Sequence, residues 1–423
     1  MPLTIRSAIL TGLILSATCC DVFAQCSMTS AEETMNRIID SNEYCFLANR
    51  VKTTTVADNR QQTLFEITQV LKAPAGSVKA GDQHTLSDGY ALVSSAQGKR
   101  EKHQVPGSSV FVVSSGSRFS GQAMILCESN QAVESYLTTT REAIASLQVG
   151  EDRRKLFVPY LGNSEPTVFL DAFYEITANG FDDIARFKED LPRTKLLAAF
   201  THPDTNQEMV SYCGLLLGVC GNADDVVLLE NKVLRLDRDF RLGIEATMVG
   251  YMLLHGEKGL KVIEDTKLQA RTGITPDGTE VRLPLSETYA GLQALRFLWT
   301  NESNRIPRER LLESMRILLD RPELSDLIIK QLSQWKDWES QDRIIAMLDD
   351  GEFKTPVIQR AIVRFLHDSS EEVDQIGKDG KAARPEHAIR AQEALKSLRK
   401  ENPKLVHDTL SSKIRGTAEE TAK

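Results

Sequence analysis

The stretch Ile344 to Leu366, IIAMLDDGEFKTPVIQRAIVRFL, sets Ile358, Ala361, Ile362 and Phe365 at i, i+3, i+4 and i+7, which lines one side of a helix with apolar groups. Thr355-Pro356 just ahead reads as N-cap followed by first helical residue, because proline has no amide to lose there and its φ already suits a helix. Outward from this stretch the same spacing returns at Phe169, Ala172, Phe173 and Ile176, and at Met209, Tyr212, Cys213 and Leu216. Pro166, Pro192, Pro307 and Pro322 stand where helices should begin, and Gly180, Gly221 and Gly256 where they should end. Those glycines are 41 and then 35 residues apart, the length of a two-helix unit of roughly 40 residues. The expectation is a mainly α, multi-domain chain whose residues 131–407 form helix pairs stacked into a superhelical solenoid. Two interruptions are expected in it. Thr272 to Leu283 holds Pro276-Asp277-Gly278 between Ile274 and Val281 and predicts a loop or short hairpin; Ser369 to Pro385 is charged and reads as a mobile loop. Residues 408–423 lack the apolar content to hold them down and are expected to form a flexible tail.

Ahead of residue 130 the period shortens to two. Short strand-like runs cover Tyr44 to Val56, Thr63 to Leu71, His84 to Ser87, Tyr90 to Val93, Ser109 to Val113 and Ala123 to Cys127, bounded by turn residues such as Pro74-Ala75-Gly76 and Gly81-Asp82. Phe65 and Ile67 alternate with Glu66 and Thr68, as a sheet wetted on one face requires. Five or six such strands imply a small closed barrel or sandwich over residues 25–130.

Residues 1–24 read as an export signal: Arg6, then an apolar run from Ala8 to Thr18 too short to span a bilayer, then Val22-Phe23-Ala24 with small residues suited to cleavage after Ala24. The expected location is secreted or periplasmic. A lipid anchor on Cys19, Cys20 or Cys26 is the less favoured alternative, since Thr18, Cys19 and Gln25 precede them where small residues belong. No later run of about 18 apolar residues predicts a membrane span. The charge of −8 from 51 basic and 59 acidic residues makes nucleic acid a poor partner. In an oxidising compartment disulfides persist, and Cys26 with Cys127 is the expected pair, with Cys45 the competing partner. Cys213 and Cys220 lie about 10.5 Å apart along one helix at about 1.5 Å per residue, beyond bridging reach, and read as small buried side chains.

Between Asn42 and Pro74, YCFLANRV followed by LFEITQVLKAP resembles the oligomer-binding-type barrel of netrin-like and tissue-inhibitor-of-metalloproteinase-like domains. In the inhibitor family the mature chain opens with Cys-x-Cys, and its first cysteine clamps the protease zinc. Here Cys26 follows Gln25, and Cys26-Ser27-Met28 lacks the second cysteine, so the resemblance implies the fold and not that inhibition. Leu156 to Ile176, LFVPYLGNSEPTVFLDAFYEI, and the opening stretch resemble degenerate HEAT repeats, without the recurring Asp and Arg positions. A β-domain followed by such helices is similar to exported bacterial proteins of uncharacterised function.

The chemistry-bearing residues are scattered. His84, His103, His202, His255, His367, His387 and His407 stand singly, with no His-Glu-x-x-His, no Cys-x-x-Cys and no phosphate loop. Gly116 to Gly121 reads as a hairpin loop and not a nucleophile elbow. Asp182-Asp183, Asp224-Asp225 and Asp349-Asp350 read as helix-end caps. No catalytic, cofactor-binding or metal-ligating residue is therefore expected. Trp335 and Trp338 are the expected binding patch for a glycan or peptide, while Trp299, at i+4 from Leu295, is expected in the core. The basic run Arg305 to Arg310 reads as a solvated helix start. Two functions follow: a non-catalytic exported interaction or scaffold protein binding a protein or extracellular polymer on its helical-repeat surface, or a secreted hydrolase of envelope or extracellular polymer with a site between the two domains.

Overall fold

A computed structural model describes residues 34–55, 61–87, 109–114, 123–178, 180–236, 241–301, 305–373 and 384–420. The expected signal with its cleavage after Ala24, Cys26, the strand Tyr90–Val93, His103 and the Gly116–Gly121 loop lie outside the described residues. The chain divides into two compact units, Met1–Val233 with Arg241–Leu254, and Leu234–Phe240 with His255–Lys423.

In the first unit a short helix α1 (Met35–Ser41) leads into β1 (Tyr44–Thr55), β2 (Gln61–Lys72), β3 (Gln83–Ser87), β4 (Ser109–Ser114) and β5 (Ala123–Glu128). These five strands form one antiparallel sheet of order β3-β2-β1-β4-β5. The fourth strand returns beside the first, which is a Greek-key connection. The sheet is open: β3 and β5 are its edges, with no ladder joining them among the described residues, so the closed barrel expected from strand count is not formed by these strands. β1 is the central strand, and Tyr44 to Ala48 are buried without alternation where β2 and β4 flank it. On β2 the expected alternation holds, Phe65 and Ile67 buried and Glu66 and Thr68 exposed. Phe46, Ala48, Phe65 and Ile67 make the core of one face, with Val70 and Val78 packed against it.

α2 (Gln131–Ser146) docks on β2, where Thr138 Oγ1 donates to Gln69 Oε1 at 3.0 Å. The period changes near Gln131 as expected, yet α2 and the following α3 (Pro166–Thr177), α4 (Phe181–Arg186), α5 (Arg193–Thr201), α6 (Gln207–Cys220), and most of α7 (Ala223–Leu234) and α8 (Ile244–His255) belong to the same compact unit as the sheet. α3 begins with Pro166 as its first residue, and its stripe Phe169, Ala172, Phe173 and Ile176 is buried. α6 exceeds the expected amphipathic pattern, since every residue from Met209 to Gly218 is buried. The reason is glycine. A Cβ on Gly218 would stand 2.3 Å from Gly250 Cα, and one on Gly214 2.7 Å from Thr247 Oγ1, so α6 and α8 approach backbone to backbone and a second side of α6 is covered.

In the second unit α9 (Glu257–Ile263) follows Gly256, whose φ of +65° suits the reversal between helices, and continues into a π-helical turn at Glu264–Gln269. The expected hairpin forms from β6 (Thr272–Ile274) and β7 (Glu280–Arg282), closed by Thr275 N donating to Thr279 O at 2.9 Å. Then come α10 (Leu285–Asn301), α11 (Arg308–Ile317), α12 (Ser325–Gln334), α13 (Gln341–Ala346), α14 (Pro356–Ser370), α15 (Glu386–Glu401) and α16 (Pro403–Glu420). Thr355 caps α14 as read from sequence, its Oγ1 accepting from Ile358 N at 3.4 Å, and Ile358, Ile362 and Phe365 are buried. α14 packs on α12, α15 and α16. Past Asp408, where the polar composition predicts a tail, the backbone continues α16 to Glu420, and the buried Val406 and Thr409 seat the start of that helix. Among the described residues no helix is long and apolar enough to cross a membrane.

Candidate binding surface

The turn after α12 ends that helix and aims two tryptophans apart. Asp337 N donates to Leu332 O at 2.9 Å and Lys336 N to Ser333 O at 3.0 Å, the paired bonds of a Schellman motif, with Lys336 in the left-handed position at φ +58°. Among the described residues Lys336 is the one non-glycine residue with positive φ. Asp337 locks the turn from beneath: only 3% exposed, it accepts Arg316 Nε at 2.9 Å and the Ser340 hydroxyl. The hydrogen bond to Asp337 raises the pKa of Arg316, against the opposing effect of desolvation.

Trp335 and Trp338 stand on either side of this turn and pack against different rings. Trp335 stacks on Trp299 near the end of α10, ring centroids 4.1 Å apart and planes 11° from parallel. The Arg308 guanidinium, at the start of α11, lies over the Trp299 ring with Cζ 5.0 Å from its centroid. Arg308 and Lys336 are exposed, and both indoles keep part of their surface in solvent. Trp338 instead meets Phe365 edge-on at 5.2 Å and lies nearly parallel to His387 at 5.7 Å, pinning the 3-10 turn Trp338–Ser340 against α14 and α15. Trp299, expected in the core, is thus half-buried and is the true partner of Trp335. Arg308 belongs to the same stack although its basic run reads only as a solvated helix start. Nothing in the sequence signals this pairing, because the two indoles sit on different helices and share no period.

The stack can do specific chemistry. Parallel indoles with an exposed rim offer a flat apolar surface with a negative face, suited to a sugar ring, a planar side chain or a cation. Arg308 and Lys336 add donors at its margin. Nothing in this arrangement activates a nucleophile or a water.

Other charged groups serve packing. In the first unit Asp171 accepts Met35 N and the Tyr136 hydroxyl, each at 2.6 Å, and Glu175, one turn along α3, accepts the Thr34 hydroxyl at 2.6 Å and pairs with Arg153 at 3.1 Å. Burial pushes the Asp171 carboxyl up to about 7 and the Tyr136 phenol well above its ordinary value. This network ties α1 to α2 and α3. Asp225 is a cap and an ion-pair partner, accepting Asn222 N at 2.9 Å and Arg193 at 2.7 and 2.8 Å, while Asp350 accepts Glu352 N at 3.0 Å. In the second unit Lys267 and Glu287 form a buried pair at 2.8 Å, and Glu264 accepts Arg310 at 2.8 Å and the Ser314 hydroxyl at 2.6 Å.

Cys45 and Cys213 are free and buried, their thiols pushed up to about 12 by burial; Cys220 is free, half-buried and raised to about 11 by the same cause. Cys45 is thus unbridged here, and the expected Cys26–Cys127 bridge falls outside the described residues. Among the described residues no three His, Cys, Asp or Glu side chains gather into a metal-binding group. Comparison with protein-family models, curated proteins and solved structures finds no match to the chain.

Proposed function

We propose that the protein is an exported, non-catalytic interaction protein that binds a protein or extracellular polymer through its helical region, with the Trp335–Trp299 stack and Arg308 as the contact. The single observation that carries this reading is the part-exposed, cation-topped indole pair, placed beside a backbone turn held in a strained conformation. Support for a repeat scaffold comes from α14, which packs on α12 before it and on α15 and α16 after it. The Greek-key order of the sheet supports an oligomer-binding-type module ahead of the helices. The apolar run Ala8–Thr18 and Val22-Phe23-Ala24 support export.

The test is enrichment by the wild-type chain, compared with Trp335→Ala and Trp299→Ala, from the secreted fraction of its own cells, together with co-sedimentation with insoluble envelope polymer. The expected result is material bound by wild type and lost in both variants with unchanged far-UV circular dichroism. Equal recovery by wild type and variants, or none by wild type, overturns the reading.

A further inference from the structure

We propose that the cleft between the base of the β6–β7 hairpin and the start of α10 binds the oxyanion group, phosphate or carboxylate, of a small organic molecule. The cleft has a volume of about 340 Å³ and is lined by Arg282, Leu283, Pro284, Leu285, Arg321 and Glu323. Arg321, only 6% exposed, carries a full charge yet meets only neutral acceptors: its Nε donates to Leu268 O at 3.1 Å, and Nη2 to Leu268 O at 3.0 Å and to Ala270 O. No carboxylate among the described residues lies within ion-pair distance of it. A buried guanidinium without a counter-charge is costly, and an anion in the adjoining cleft supplies that charge.

The hairpin register adds to the imbalance. Thr272 pairs with Arg282 and Leu283 N donates to Arg271 O at 2.9 Å, so Arg282 stands opposite Thr272 and Arg271 opposite Leu283, at neighbouring positions of the hairpin base. Arg271 spends its charge on a backbone oxygen, Asp320 O, at 2.6 Å. Arg282 has one carboxylate, Glu323, at 3.5 Å; the arginine is largely in water and the glutamate partly so, which makes the pair loose and screened. Two arginines and one glutamate therefore line the cleft, and the charge of Arg271 adds to the positive side. Burial, and then the like charge of Arg271, lower the pKa of Arg321, with Arg282 acting in the same direction and Glu323 opposing. α10, 17 residues long, opens on the cleft with Leu285, and in its first turn Glu287 N already donates to Pro284 O at 3.0 Å. Leu283, Pro284 and Leu285 give the apolar wall that the organic part would contact.

Calorimetric titration of the full chain at constant ionic strength tests this, with inorganic phosphate, phenyl phosphate and phenylacetate as probes. We expect saturable one-to-one binding of at least one probe, with Kd on the order of 1 mM or tighter. The pair Arg271→Ser with Arg282→Ser should weaken it by about tenfold or more, since Arg282 lines the cleft and Arg271 adds positive charge beside Arg321, while Arg390→Ser leaves it unchanged. Binding by phenyl phosphate alone, or by phenylacetate alone, supports the site and identifies the group. No saturable heat with any probe, or equal affinity in the paired variant with an unchanged melting temperature, overturns the proposal.

Discussion

Lys336 holds the backbone in a region that glycine enters freely and that residues with a Cβ occupy at a cost of about 1–2 kcal/mol. Its ion pair with Glu372, at 2.9 Å, joins an exposed ammonium to a partly exposed carboxylate and returns little of that. Lys336→Gly is therefore expected to stabilise the second unit by about 1 kcal/mol, read as a higher urea midpoint with an unchanged denaturant slope. A lower midpoint would mean the turn is held by lysine contacts and not by the motif. Asp171 is the other residue with a measurable signature. Its carboxyl titrates near 7 in the fold, raised by burial from an ordinary value of 3.8. The folded state therefore binds more protons than the unfolded chain between about pH 4 and 7, and this group adds stability as pH falls through that window. The benefit is absent above about pH 8 and reaches a few kcal/mol near pH 5. Asp171→Asn removes the titration, so the stability of wild type relative to the variant should rise as pH is lowered from 8 to 5; a constant difference refutes the assignment.

At the scale of elements, the π-helical turn Glu264–Gln269 carries two of the second unit's buried charges, Glu264 and Lys267. The wider turn carries Lys267 to Glu287 on α10 and Glu264 to Arg310 and Ser314 on α11. Removing one partner of the Lys267–Glu287 pair takes away a buried counter-charge, and Lys267→Met or Glu287→Leu alone should cost about 3–5 kcal/mol. The double variant should recover most of that loss, because two apolar side chains of similar volume need no counter-charge. Urea titrations of the four chains close the cycle, and additive losses would show that the two residues do not act as a pair. The hairpin β6–β7 was legible in sequence from Pro276-Asp277-Gly278, and the start of α14 from Thr355-Pro356, since both depend on local backbone geometry. The π-helical turn was not, because buried ion pairs with distant helices stabilise it.

Over the whole molecule, the division into two compact units has a direct spectroscopic consequence. All three tryptophans, Trp299, Trp335 and Trp338, lie in the unit containing His255–Lys423, whereas the five-stranded sheet lies in the other. Each unit has its own buried apolar residues, so two-state unfolding is not expected. Tryptophan fluorescence should report one unit's transition, while far-UV circular dichroism follows both. The two curves are expected to have different midpoints; coincident curves would show one cooperative body.

Five strand positions and the main helices could be read from periods of two and 3.6, from proline at first turns and from glycine at reversals, because those signals act on a residue and its near neighbours. Tertiary structure alone decided that β3 and β5 stay unjoined among the described residues, that α6 is covered on a second side through Gly214 and Gly218, and that Trp335 stacks on Trp299. Each of these depends on which surfaces meet across long separations in the chain, and packing of that kind leaves no periodic trace in a single sequence.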